Sequence, residues 1–402
     1  MFSHLKAAPS DPILALSSAY REDERAEKID LGVGVFKNIE GQTPIMRAVK
    51  LAEKHLYEAQ ESKSYVGMRG DQDFNQLMAQ LVLGTDLATR ASGVQAVGGS
   101  GALLLLARLI RRAQESPKAQ EGIKVWVSDP TWANHIPILD SSGLVVKTYP
   151  YFDASSASLR FEAMIDCLNT LGPQDVVLLH GCCHNPTGVN LSQEQWDILA
   201  ELAAKRGFVP FFDLAYHGFG ESLEIDSYGI RTVARKVSEV LLAVSCSKNF
   251  GLYRDRVGTA LVITQDKAQS EVLASQLAVI ARQLYSMPPD HGAALVRIIL
   301  GNEALRADWE AELTAMRAQM NGSRERLADL LRQFTNSDRF DFIARHRGMF
   351  SMLGLSSEAC DRLKQERGIY MVRSSRINIA GVTPANVEAL ARAIAEVESV
   401  SS

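Results

Sequence analysis

A chain of 402 residues is too long for one ordinary hydrophobic core, so two domains are expected. Hydrophobic residues make up 46% and charged residues 22%, the balance of a globular protein rather than a disordered or fibrous one. A net charge of −4, with both signs interspersed, gives no electrostatic reason to expect nucleic acid or an anionic membrane as a partner.

The N-terminal stretch Met1-Phe2-Ser3-His4-Leu5-Lys6 has no apolar signal core, which points to the cytoplasm. Residues 1–29 read as an arm with a short helix, and 30–36 as an extended segment entering the turn Asn38-Ile39-Glu40-Gly41. A helical pattern follows from Pro44 to about Gln60. Between 96 and 263, apolar runs alternate with amphipathic helices, and strands are expected at 124–127, 144–149, 175–179, 209–212, 240–245 and 257–264. The strongest apolar run, 102–107, is far too short to span a bilayer. Continuous apolar strands interleaved with helices argue for a largely parallel sheet covered on both faces. In such sheets ligands sit beyond the carboxyl ends of the strands. A long helix is expected over 295–333, then strands at 340–353, 369–371 and 377–380. Thr383 and Pro384 read as the N-cap and first residue of a terminal helix. The division expected is an arm with part of a small domain over 1–43, a large domain over 44–312 and a small α+β domain over 313–402.

Three of the strands run into polar residues. The run 240–245 leads into Ser245-Cys246-Ser247-Lys248-Asn249-Phe250-Gly251, with Arg254 and Arg256 beyond. A lysine at the mouth of a buried strand is desolvated, which lowers its pKa and makes it a better nucleophile toward a carbonyl. The run 209–212 ends in Asp213-Leu214-Ala215-Tyr216, and 175–179 leads into His180-Gly181-Cys182-Cys183-His184-Asn185-Pro186-Thr187-Gly188. In isolation Asp213 reads as a turn or cap residue, Asn185 as part of an Asn-Pro turn and Trp132 as a core residue. Gly98-Gly99-Ser100-Gly101 precedes a helical run, so its amides and the helix N-terminus suit a phosphate, with hydroxyls from Ser245 and Ser247 and a charge from Arg256 to help. The stretch lacks the lysine of a P-loop and the third glycine of a dinucleotide fingerprint. Five cysteines, two of them adjacent, read as reduced thiols. The spacing of His180, Cys182, Cys183 and His184 fits no common zinc pattern, so no metal is expected.

Taken in order with Tyr65-Val66-Gly67, Asp129-Pro130-Thr131-Trp132-Ala133-Asn134-His135 and Ser375-Arg376-Ile377-Asn378-Ile379-Ala380-Gly381, these motifs resemble the aspartate and aromatic-amino-acid aminotransferases, class I enzymes of the pyridoxal phosphate (PLP) fold type I group. The resemblance covers nearly the whole chain. It implies an α/β fold with a mostly parallel central sheet, a smaller α+β domain and pyridoxal 5′-phosphate as cofactor. It further implies that Lys248 bonds the cofactor and carries the proton from substrate Cα, and that Asp213 pairs with the pyridine nitrogen. Asn185 and Tyr216 would bond the phenolate oxygen, and Trp132 would lie over the ring. Gly99, Ser100, Gly101, Ser245, Ser247 and Arg256 would hold the phosphate. Arg376 would clamp the substrate α-carboxylate, with Asn185 and Trp132 also beside the substrate and Gly34 near its side chain. Arg282, for a distal carboxylate, and Tyr65, for the phosphate, would come from the other subunit of a homodimer with shared active sites. His135 would stand behind Asp213.

The chemistry expected is ping-pong transamination between an aromatic or dicarboxylic L-amino acid and 2-oxoglutarate or a related 2-oxo acid. Strict aspartate aminotransferase is the alternative, since the residues that would bind dicarboxylates are all present; Ser375, Cys246 and Met287 depart from several relatives and leave the side-chain preference open. A lyase or decarboxylase would use the same lysine and aspartate. A non-catalytic regulator would need a DNA-binding module, and nothing basic or helix-turn-helix-like precedes residue 30.

Overall fold

Seven strands rich in Val, Leu, Ile and Phe form the sheet at the centre of residues 44–319 in the computed structural model, which describes residues 1–7, 11–113 and 123–399. They are β1 (Ala91–Val97), β2 (Lys124–Asp129), β3 (Val145–Pro150), β4 (Asp175–His180), β5 (Val209–Leu214), β6 (Val240–Ser245) and β7 (Val257–Ile263). Their order across the sheet is β1-β7-β6-β5-β4-β2-β3. Only β7 runs against the rest, pairing antiparallel with both β1 and β6. Every residue of β6 and β7 is buried, as expected of strands covered on both faces. The helix Gly98–Ala113 lays Ala102, Leu103, Leu106 and Ile110 into the same core as Val94, Val125, Phe211, Ala243 and Ala260.

Local signals set where strands begin. The helix Gln193–Arg206 opens with a capping box between Ser192 and Gln195 and closes on Gly207, whose φ of 78° suits a residue without Cβ. That closure feeds the chain directly into β5, the strand that carries Asp213.

Strand β1 escapes the sequence reading because Ser92, Gly93 and Gln95 interrupt its apolar pattern. The buried Gln95 amide is satisfied: it accepts from the Asp71 N–H (2.9 Å) and donates to the Pro289 carbonyl (2.8 Å). Gly93 faces Leu261 of β7, and a Cβ there would lie 2.7 Å from the Leu261 side chain. The helix expected over 295–333 is two helices, His291–Gly301 and Glu303–Thr335. Asn302 separates them in an extended conformation and caps the second through a bond from the Leu305 N–H (3.0 Å).

Two compact units emerge, Pro44–Gln319 and Met1–Thr43 with Met320–Ser402. Their boundary falls inside the helix Glu303–Thr335, seven residues past the division read from the sequence, because an uninterrupted helix carries no turn signal to mark it. The smaller unit pairs Ile29–Asp30 in parallel with Ile369–Tyr370, and Phe350–Met352 antiparallel with Arg376–Asn378. The stretch 340–353 is therefore not one strand. Phe342–Arg345 is a helical turn, and Phe342 and Ile343 are buried without being extended. The last helix starts at Val387 rather than at Pro384. Asn386 organises the preceding turn, accepting from the Thr383 N–H (2.9 Å) and donating to the Gly381 carbonyl (2.9 Å). Among the described residues, no helix is long and apolar enough to cross a membrane.

Candidate active site

Three neighbouring parallel strands end side by side. The register sets His180 of β4 opposite Asp213 of β5, and Leu214 of β5 opposite Val244 of β6. Ser245 closes β6, and Asn185, Tyr216, Ser247 and Lys248 lie just past the strand ends. Lys248 is half-buried, and its Nζ lies 5.0 Å from the centroid of the Tyr216 ring. Burial pulls its pKa down, the Asp213 charge pulls it up and Arg256 pulls it down again, leaving it at about 8.

Asp213 is buried, and its Oδ2 lies 2.9 Å from His135 Nε2. Burial alone would raise this carboxyl. The hydrogen bond from His135, with the charges of His135, His180 and Lys248, outweighs burial and holds it below its ordinary value. Behind it, His135 Nδ1 lies 2.7 Å from Thr131 Oγ1, which lies 3.1 Å from His180 Nε2. Burial and the neighbouring His135 hold His180 down to about 3, against a smaller upward pull from Asp213. Trp132 packs edge-on against His135, ring centroids 5.2 Å apart.

A second feature adjoins the lysine. The helix Gly98–Ala113 begins against the β6 end, and its first glycines leave no room for side chains. A Cβ on Gly98 would lie 2.5 Å from Arg256 Nη2, and one on Gly99 would lie 2.9 Å from Ser245 Cβ. Arg256 Nη1 donates to Ser247 Oγ (3.3 Å), and the Ser247 N–H donates to Ser245 Oγ (3.2 Å). A helix N-terminus with Ser100 and Gly101 in its first turn, two hydroxyls and a guanidinium thus meet in one place, the makings of an anion site. Asn185 is buried, and its side-chain Oδ1 has no hydrogen-bond partner among the described residues. That acceptor is left to bond something the described chain does not supply.

Residues 26–394 match the family model described as aminotransferase class I and II. The chain belongs to that family. It is 48% identical to the aromatic-amino-acid aminotransferase of Paracoccus denitrificans, over 99% of this chain and 100% of that one. It is 44% identical to the aspartate aminotransferase of Haemophilus influenzae, again over 99% and 100%. Among solved structures, the aromatic-amino-acid aminotransferase of Burkholderia pseudomallei covalently bound to pyridoxal phosphate superposes with a TM-score of 0.94 at 41% identity, covering 99% of each chain. The α/β architecture with its mostly parallel seven-stranded sheet is that of fold type I.

As a class I and II aminotransferase, this enzyme depends on pyridoxal phosphate and acts on small-molecule amino acids and 2-oxo acids. The donor set suits that cofactor. It offers an amine of lowered pKa for an aldehyde, an anionic carboxylate for a ring nitrogen, and the N–H groups of a buried amide with a phenol for a phenolate oxygen. A helix N-terminus with hydroxyls and a guanidinium suits the phosphate.

In the larger unit, Tyr65 is 91% exposed, and Arg282, in the last turn of the helix Lys267–Tyr285, is exposed as well. In the smaller unit, the buried Arg376 donates from Nη2 to the Gly32 carbonyl (2.8 Å), and Gly34 is two residues on. Sequence reasoning gave no role to Thr131 or Phe350. Thr131 stands inside a motif already noticed, whereas Phe350 sits in an apolar stretch with no chemical signal.

The Sγ atoms of Cys182 and Cys183 lie within 4.8 Å of each other and of an Asp226 carboxylate oxygen. That carboxylate accepts backbone N–H groups from Gly218, Gly220 and Glu221. A hydrogen bond with Cys183, together with burial, pushes the Cys182 thiol up. Through these bonds the Asp226 carboxylate clamps the turn at 218–221.

Proposed function

We propose that this aminotransferase exchanges amino groups between aromatic (Phe, Tyr, Trp) or dicarboxylic (Asp, Glu) L-amino acids and 2-oxoglutarate or a related 2-oxo acid, in a ping-pong cycle. The observation that carries the reading is Lys248, an amine with a pKa of about 8 between a buried carboxylate and an anion-binding helix N-terminus. When bound, the cofactor supplies an aldehyde carbon and an electron-withdrawing ring. Lys248 would hold it covalently and, with its amine free, would move a proton from substrate Cα. A pKa near working pH lets one group both accept and return that proton.

Asp213, charged and hydrogen-bonded to His135, would hold a proton on the cofactor's ring nitrogen. Asn185 and Tyr216 would bond the phenolate oxygen. The amides of Gly99, Ser100 and Gly101, with Ser245, Ser247 and Arg256, would hold the phosphate, and Trp132 would lie over the ring. Arg376 fixes the substrate α-carboxylate through a two-pronged bond, with Asn185 and Gly34 beside the substrate.

The exposure of Tyr65 and Arg282 supports a homodimer in which each chain lends these two residues to the other's site. Mixing Lys248→Ala and Arg282→Ala variants, each inactive toward aspartate alone, should restore about a quarter of wild-type dimer activity if subunits reassort at random. No recovery, with exchange verified by native mass spectrometry, means sites built within one chain. None of the five cysteines is in a disulfide, which suits the cytoplasm.

Aromatic substrates require Arg282 to swing away or find new partners, since an aromatic ring buried against an unpaired guanidinium would cost several kcal/mol. The names of the relatives, aromatic at 48% identity and aspartate at 44%, favour the broader specificity. Single turnovers with excess phenylalanine or aspartate and no oxo acid decide it. Comparable bleaching of the bound cofactor's visible band by both is expected. Bleaching by aspartate alone makes this a strict aspartate aminotransferase.

A further inference from the structure

We propose that Phe350 is a positioning residue for substrate binding: its ring is the floor on which the Arg376 guanidinium lies. The inference rests on the reading of Arg376 as the α-carboxylate clamp. In the antiparallel pair, Phe350 stands opposite Asn378 and Met352 opposite Arg376. Directly opposed residues share a face, as do alternate residues along a strand, so Phe350 and Arg376 are diagonal neighbours on one face. The Arg376 guanidinium carbon lies 4.3 Å from the centroid of the Phe350 ring, well within the range at which a cation is attracted to an aromatic face. Both residues are buried, so water does little to weaken that attraction.

The ring is confined on its other sides. A Cβ on Gly34 would lie 2.8 Å from Phe350 Cζ, so any side chain at 34 would push the ring off its place. The segment carrying Gly34 cannot give way easily, because Asn378 Nδ2 donates to the carbonyls of Val33 (2.6 Å) and Val35 (2.8 Å). The backbone of Phe350 is pinned by Arg324, which is fully buried. Arg324 donates to the carbonyls of Phe350 (2.7 Å), Gly348 (2.7 Å) and Ile343 (3.2 Å) and to Ser351 Oγ (2.7 Å).

A planar guanidinium resting on a fixed ring can present donors only along its own edge. The bond to the Gly32 carbonyl fixes its rotation within that plane. The guanidinium plane is thereby set before any carboxylate arrives, which lowers the ordering cost of binding. The α-carboxylate is common to every substrate, so the ring should matter equally for aromatic and dicarboxylic ones.

The test is calorimetric binding of two amine-free acids, 3-phenylpropionate and succinate, to the holoenzyme. Phe350→Leu, which keeps apolar bulk but removes the aromatic face, should weaken both by the same factor, about 3- to 30-fold. In an Arg376→Gln background, Phe350→Leu should cause little further loss, because the two residues act as one unit. Unchanged binding in Phe350→Leu, with Arg376→Gln still weakened, overturns the role of Phe350 and leaves the clamp standing. Unequal losses for the two acids also overturn it, because the ring would then be touching the substrate side chain. Normal binding in Arg376→Gln removes the clamp itself and the proposal with it. Thermal unfolding of each variant separates these outcomes from loss of fold.

Discussion

Lys248→Ala is expected to lower turnover by at least about 10⁴-fold while the protein stays folded. Two functions end together, covalent capture of the cofactor and proton transfer at substrate Cα, and no other amine of lowered pKa stands at the carboxyl end of β6 among the described residues. Normal transamination by this variant would remove the functional reading altogether. The same substitution has an opposite effect on stability. The folded pKa of about 8 lies below the ordinary 10.5, so folding weakens proton binding at Lys248. The resulting penalty is full below about pH 8 and fades as pH rises toward 10.5. Cofactor-free Lys248→Ala should therefore unfold at a higher temperature than cofactor-free wild type at pH 6–7, with the difference shrinking above pH 8. The rate at which cofactor-free wild type captures pyridoxal phosphate should rise about tenfold per pH unit below 8 and level off above it, following the fraction of free amine.

The chemistry of this chain was legible in its sequence largely because a doubly covered parallel sheet writes itself as apolar runs, and the residues just past such runs stand at the ligand-binding edge. Asp213 and Lys248 could be assigned to that edge from β5 and β6 alone. Where a strand carries polar residues with private partners, the pattern fails. The Gln95 amide is satisfied by Asp71 and Pro289, residues far away in sequence, so nothing local announces β1. The break at Asn302 was hidden because apolar spacing continues through it, and the capping bond to Leu305 is a one-residue signal. Phe350 was invisible for a deeper reason. Its role depends on a diagonal across two strands and on a glycine more than three hundred residues earlier, which no window of sequence contains. Tyr65 and Arg282 carried their meaning only through resemblance, since within one chain both side chains are exposed.

Asp213→Asn should cost about 10³-fold or more in turnover with little change in fold. The amide matches the carboxylate in shape and can still accept from His135, but it carries no charge and cannot hold a proton on the ring nitrogen facing it. A variant keeping more than a tenth of wild-type turnover would assign Asp213 to structure rather than chemistry. His135→Phe separates the charge from its support. It keeps an aromatic ring in the same space and removes the donor that offsets burial, so Asp213 is left with desolvation as its dominant influence and its pKa rises. A loss of roughly 10- to 100-fold is expected at neutral pH, the usual scale for a group that tunes another. The diagnostic lies in the pH profile. In the wild type, Asp213 is held below its ordinary value and stays charged across the neutral range, so its protonation limits turnover only at strongly acid pH. In His135→Phe, turnover should gain an acidic limb, falling as pH drops through the raised carboxyl pKa. Asp213→Asn, with nothing to titrate at that position, should lack this limb. If the two variants instead lose activity with the same pH profile, His135 supports the fold around residue 213 and does not maintain its charge.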